Sequence, residues 1–306
     1  MIGDRRTDQI GVQRTISIGV DKPGGNQLFR ALSPGELFLF KLHSPRNYIV
    51  GGGVFAHSSL LPVSLAWKSF GIANGATTLQ EMRSRIEQYR RVASDPADDY
   101  RIGCVLVTQP FFFPEHAWIP VPEDWRAATQ QGKRYDLSHG IGAELGAQVE
   151  AALGTAAPDP VVAESVRHGI TQVGERYGKD QTIRPRLGQG SFRILVTDAY
   201  ERRCAFTGER VLPALEAAHV WAYAEGGPHE VENGLLLRRD LHALFDDNYL
   251  TVTPELKIAV SPKIEAEFHN GRDYYALHGR SIRVPRRPFK GPLLENLRWH
   301  NERFKG

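Results

Sequence analysis

Cysteine is nearly missing from this 306-residue chain: only Cys104 and Cys204 are present, far apart. That excludes a disulfide framework and a four-thiolate metal site built within one chain, and leaves two reduced, buried thiols as the expectation. Long apolar runs are also missing. Nowhere do about eighteen apolar residues follow one another, and the opening MIGDRRTDQIGVQRT has no stretch suited to a signal peptide, so a cytoplasmic protein with no membrane partner is expected. A strong charge of one sign is absent too, with 38 Lys and Arg against 35 Asp and Glu. With 41% hydrophobic and 24% charged residues the chain is neither disordered nor fibrous, and it is long enough for two domains with separate cores.

The charge is unevenly spread. Residues 271–306 hold nine Lys and Arg against three Asp and Glu, which leaves the rest of the chain net acidic. In this basic end Phe289, Trp299 and Phe304 stand among the cations, a composition that attracts a phosphate backbone and that a solvated tail would share.

Along the chain, GELFLFKL and YIVGGGVF read as strands separated by the turn residues HSPRN, and the triple glycine 51–53 marks a bulge or a close backbone approach. LPVSLAWKSF reads as a short helix. Thr78 and Glu81 have capping-box spacing ahead of Leu79, Met82, Ile86, Tyr89 and Val92, one apolar helix face. RIGCVLVTQPFFF is a buried strand running into an aromatic loop closed by WIPVPEDW. Residues 1–126 therefore form a first, mixed domain. Residues 127–190 read as a connector with helices near Ile141–Leu153 and Pro160–Arg176, and residues 191–306 as the second domain, giving an α+β protein.

Residues 204–252, CAFTGERVLPALEAAHVWAYAEGGPHEVENGLLLRRDLHALFDDNYLTV, parse as a ββα unit. Phosphodiester hydrolysis needs a base near neutrality and a divalent cation, and this segment has residues for both. His242 and Asp246 are four apart on the expected helix and can grip one ion, His219 ends a strand that could face them, and Asn233 can hydrogen-bond the backbone and hold the histidine strand. Arg238 and Arg239 open the helix where a phosphate could meet them, and Arg286 and Arg287 lie in the basic end. His229, in the loop, reads as exposed.

The segment resembles the HNH (His-Asn-His) nucleases, in particular a restriction-type branch in which Cys-x-x-Thr-Gly precedes Ala-Ala-His and an Asn-Gly-Leu-x-Leu-Arg-x-Asp-x-His-x-Leu-Phe-Asp run. The resemblance spans about residues 190–262. It implies His219 as general base, Asn233 as the orienting residue, His242 and Asp246 as metal ligands, Mg²⁺ or Mn²⁺ as the ion, and double-stranded DNA as substrate. Two positions depart from the pattern. Ala218 stands where many relatives carry Asp or His, so a third ligand has to come from elsewhere: Glu216, two residues away on the same strand face, is the candidate, a surface Glu its bland alternative, and Asp240 a weaker one. Thr207 replaces the second Cys of the zinc-bearing relatives, so no structural zinc is expected.

Residues 30–126 resemble, more loosely, the PUA-like superfamily with its EVE-type domains, small β-barrels that in several nucleases hold a flipped, modified base. Phe55, His57 and Trp118 are the candidate pocket residues, whereas Trp67 and Phe70, at helical spacing, read as core. Together the two resemblances imply a modification-dependent restriction enzyme that cuts DNA carrying methylated or hydroxymethylated cytosine, working as a homodimer if both strands are cut. A sequence-specific endonuclease and a binding protein on a degenerate HNH scaffold are the alternatives.

Overall fold

A computed structural model describes residues 28–29, 32–42, 44–90, 95–125, 133–137, 139–156, 162–163, 166, 188–285 and 290–306. Arg286, Arg287, Phe289 and Val92 lie outside the described residues, as does most of the helix expected at 160–176. The chain divides into two compact units, residues 1–186 and 187–306.

The first unit is organised around one long strand. β1 (Leu37–Lys41) and β3 (Arg101–Phe112) flank β2 (Tyr48–Pro62), both antiparallel, and the two-residue β4 (Ile119–Pro120) extends the β3 side by pairing with Tyr48 and Ile49. β2 is buried over most of its length because it has a neighbour on both edges. The glycines make this possible. A Cβ on Gly51 would overlap the Phe111 carbonyl oxygen, one on Gly52 would come 2.7 Å from the Phe38 carbonyl oxygen, and the register shifts between Gly52 and Val54, so close approach and bulge are both present.

α1 (Val63–Phe70) follows β2 directly, and the capping pattern at Thr78 starts α2 (Leu79–Arg90): the Thr78 hydroxyl accepts the Glu81 N–H at 3.1 Å, while the Glu81 carboxylate reaches back to the Thr77 N–H at 2.7 Å. Met82 and Ile86 are the buried face of α2, and Trp67 and Phe70 are half-buried on α1. α3 (Gly140–Ala156) lays Leu145, Val149, Ala152 and Leu153 on Ile49, Phe111, Phe113 and Ile119, so the first helix of the expected connector is part of this unit's core. Each of the larger side chains, Ala152 excepted, contributes about 1.5–3 kcal/mol on burial.

The barrel implied by the PUA-like resemblance is not closed among the described residues. A barrel needs every strand paired on both edges, and here only β2 is; β1 and β3 stop as edges of an open four-stranded sheet.

In the second unit, α4 (Gln189–Ala199) precedes the antiparallel pair β5 (Leu215–His219) and β6 (Gly234–Arg238), and α5 (Arg239–Asp246) follows without a loop. Leu235, Leu236 and Leu237 are all buried, which a strand achieves only when both faces are covered; α4 and α5 pack on it. β7 (Leu250–Val252) and β8 (Ile258–Val260) form a hairpin, followed by the short helices α6 (Lys263–Phe268) and α7 (Arg272–Tyr275) and by α8 (Lys290–Asn301). α8 is tied to the ββα unit at both ends of the site. Asn296 donates to the Glu232 carbonyl at 3.3 Å and Trp299 stacks on Trp221, while His300 donates to the Phe245 carbonyl at 2.9 Å and stacks on the Phe245 ring at 3.8 Å. Arg303 lies 3.7 Å over Trp299 and Lys305 3.9 Å over Tyr249, so part of the basic end is packed structure instead of free cationic tail.

Both cysteines are buried thiols. Among the described residues no helix is long and apolar enough to cross a membrane.

Gly51→Ala is expected to cost about 1–3 kcal/mol, since the new methyl has backbone to displace. Gly154→Ala, on the exposed side of α3 with nothing within 4 Å, should instead stabilise by about 0.5–1 kcal/mol. Urea melts of the two variants beside the parent distinguish these outcomes by sign.

Candidate active site

The site is built on β5, the loop after it, and α5. His219 is the last residue of β5 and faces Gly234 across the ladder. Gly234 is not in a turn conformation, having φ −122° and ψ 141°. Its lack of a side chain serves a neighbour: a Cβ there would overlap the Val196 side chain and lie 3.1 Å from the Phe192 ring. That space lets α4 approach, and Phe192 stacks flat on His219, with ring centres 3.9 Å apart and planes within 8°.

Asn233 is fully buried and nearly saturated. Its Oδ1 accepts the Trp221 N–H at 2.8 Å, and its Nδ2 donates to the carbonyls of Trp221 and Pro228, both at 2.9 Å. One amide therefore fixes the chain two residues after His219 and the residue just before His229.

The second consequence was not foreseen from sequence. His229, expected to be exposed, is half-buried with its Nδ1 3.2 Å from the Nε2 of His219, and Tyr223 packs on its other side at 3.9 Å. The sequence signal for it is weak, a lone His ten residues from His219 in a glycine-rich loop. Burial, helped by the neighbouring His229 and His242 and opposed by Asp246, pushes the His219 pKa down to about 4; burial also lowers His229. With both rings neutral, one facing nitrogen donates to the other.

His242 has the opposite electrostatics. Burial works against its charge, but the hydrogen bonds and charges of Asp246 and Glu216 outweigh it and hold the pKa above the ordinary histidine value. Asp246 lies 3.2 Å from Nε2 and Glu216 3.2 Å from Nδ1. The two carboxylates thus occupy different ring edges. The expected three-ligand cage of His242, Asp246 and Glu216 is not assembled, and among the described residues no group of three or more His, Cys, Asp or Glu side chains is arranged to hold an ion. The reason is that Glu216 approaches from β5 at the Nδ1 edge, with its other oxygen held by Arg239 at 2.9 Å.

The His242 and Asp246 pair does fit a two-ligand site. Two donors each about 2.1 Å from an octahedral ion stand about 3.0 Å apart, close to their separation, and the remaining positions would go to water and phosphate. Glu216 on the far nitrogen then has the place of the carboxylate that orients a metal-binding histidine.

The other expected residues fall as follows. Ala218 is fully buried opposite Leu235, so an acid at this position would enter the core. Asp240 is bound by Arg238, whose Nε donates at 2.9 Å; Arg239 is exposed. In the first unit Phe55 is buried and packs on Phe29, His57 is half-buried on β2 beyond a register shift, and Trp118 donates to the Phe113 carbonyl at 3.1 Å and packs beside Tyr48. A buried Phe55 is core, not a free aromatic face.

Asn233→Ala removes the partners of one buried N–H and two carbonyls; a loss of roughly 1–3 kcal/mol, read by denaturant melts, is expected together with loss of the His219–His229 arrangement. Acid should act through His219. Its folded pKa lies below the unfolded value of about 6.5, so the unfolded chain takes up the proton first. Stability present above about pH 6.5 is lost as pH falls towards about 4. His219→Gln should lose less stability than the parent between pH 7 and pH 4.5.

No curated protein matches the chain. Residues 204–253, which hold β5, β6, α5 and β7 with His219, Asn233, His242 and Asp246, match the family model of the HNH endonucleases, which supports a DNA nuclease module in the C-terminal unit; nucleases of that family generally use a divalent metal.

Proposed function

We propose that His219 is the general base of this nuclease, that Asn233 orients it through the loop backbone, and that His242 and Asp246 hold Mg²⁺ or Mn²⁺. The observation that carries the reading is the contrast between two histidines of one ββα unit: a neutral His219 stacked on Phe192, and a His242 drawn towards carboxylates. A neutral His219 can accept a proton, and on His242 a divalent cation held with Asp246 would take the place of the proton that the carboxylates favour.

Neutral at physiological pH, His219 takes the proton of a water molecule whose oxygen attacks phosphorus, while the bond from phosphorus to the leaving oxygen breaks. His229, in hydrogen-bond reach of Nε2, keeps the base ring oriented and offers a route for the proton. A bound divalent cation supplies electrostatic stabilisation of the phosphorane and the leaving oxygen. Glu216 fixes the tautomer of His242 by accepting from Nδ1.

For the whole chain the reading is a modification-dependent restriction enzyme: the first unit, with its PUA-like sequence, reads a methylated or hydroxymethylated cytosine in double-stranded DNA, and the second unit cuts. Support for the reader is the resemblance together with the half-exposed His57 and Trp118; Phe55 lends only a wall. Cutting both strands calls for two copies, which makes the active form a homodimer.

The test is cleavage of matched DNA, unmodified or carrying 5-methyl- or 5-hydroxymethylcytosine, with Mg²⁺ or Mn²⁺. Cutting of modified DNA alone, abolished by EDTA and reduced at least about a hundredfold by His219→Ala, is expected. Fixed-site cutting of unmodified DNA would replace the reader hypothesis with sequence-specific restriction. Failure to cut with any metal would leave a binding protein on a degenerate scaffold.

A further inference from the structure

Arg193 belongs to α4, outside the segment that matches the nuclease family, between the Phe192 that stacks on His219 and the fully buried Ile194. The helix is held firmly there, since Phe192, Ile194 and Val196 are all buried and Gly234 is shaped to receive it. Arg193 is itself half-buried, and its Nε is buried with no hydrogen-bond partner among the described residues. Its electrostatic neighbours are Glu216 and Arg239.

Glu216 favours the Arg193 cation electrostatically but gives its Nε no hydrogen bond. One oxygen of Glu216 is taken by Arg239 and the other by His242. Arg193 and Arg239 therefore form two guanidiniums around one engaged carboxylate, a local excess of positive charge at the edge of the site. Burial also disfavours the charged form of Arg193, with Glu216 helping and Arg239 opposing. A desolvated donor without an acceptor is costly, and the free protein retains it. The missing partner is an anion with oxygens that can meet a planar fork of N–H groups, which is what a phosphodiester presents.

Resting on the nuclease reading of the site, we infer that Arg193 is a substrate-binding residue of this domain, acting with Arg239 to take the nonbridging oxygens of the DNA phosphate beside His219. This revises the pair expected from sequence. Arg238 is neutralised by Asp240, so the second guanidinium comes from α4 and not from the start of α5.

The experiment measures duplex DNA binding by the full-length His219→Ala protein in EDTA, over a range of salt, with and without a second substitution. Arg193→Met should weaken binding about tenfold at moderate salt and reduce the slope of log K against log salt by about 0.9, the signature of one lost phosphate contact. Arg193→Lys, which keeps the charge, should retain most of the slope. The free Arg193→Met protein should melt at the same temperature as its parent or higher, because a buried N–H donor without an acceptor has been removed. If that variant does not fold, Arg193→Gln carries the same comparison. An unchanged slope in a folded variant, above all with a lowered melting temperature, would make Arg193 structural and overturn the inference while the nuclease reading stands. Absence of DNA binding by the His219→Ala parent would overturn the nuclease reading, and the inference with it.

Discussion

The C-terminal site depends on one buried amide. Asn233 has no solvent to fall back on, and its three hydrogen bonds join Trp221 to Pro228 across the loop, adding to the short-range backbone bonds within it. Because β5 ends at His219, the position of Trp221 decides where the strand stops and which way the histidine points; because Pro228 precedes His229, the same amide brings the second ring to the first. Backbone groups buried without partners are costly, so the loop has one inexpensive conformation. That is how a segment of irregular structure comes to hold two side chains within hydrogen-bond distance.

Around this loop the protein divides its histidines by environment. His219 is covered by Phe192 and paired with His229, and desolvation keeps it neutral. His242, on a helix between two carboxylates, favours the proton or a cation instead. His300 is a third case: stacked on Phe245 and donating to its carbonyl, it fastens α8 beneath α5. The residue type is the same in each, and the surroundings set what it does.

Cations are divided in the same way. Arg238 serves Asp240, Arg303 lies on Trp299, and Lys305 lies on Tyr249, so these charges hold the fold together. Arg239 instead pairs with Glu216, a carboxylate that also holds His242, and Arg193 lies within the electrostatic reach of both Glu216 and Arg239. A count of basic residues in the sequence cannot make this distinction, since it depends on which acid folds back onto which base.

Local patterns in the sequence determined a good deal. The helix face of Met82 and Ile86, the cap at Thr78, the glycine-marked close approach in β2, the ββα order and the four-residue spacing of His242 and Asp246 all follow from periodicity and turn chemistry, which act over a few residues. Tertiary structure alone decided the rest. Whether β1 and β3 close into a barrel, whether the helix at 140–156 is linker or core, which edge of His242 meets Glu216, and that His229 meets His219 are matters of contact between residues distant in the chain or placed by irregular loops. Such contacts are selected by the packing of whole elements, and no short-range pattern carries them.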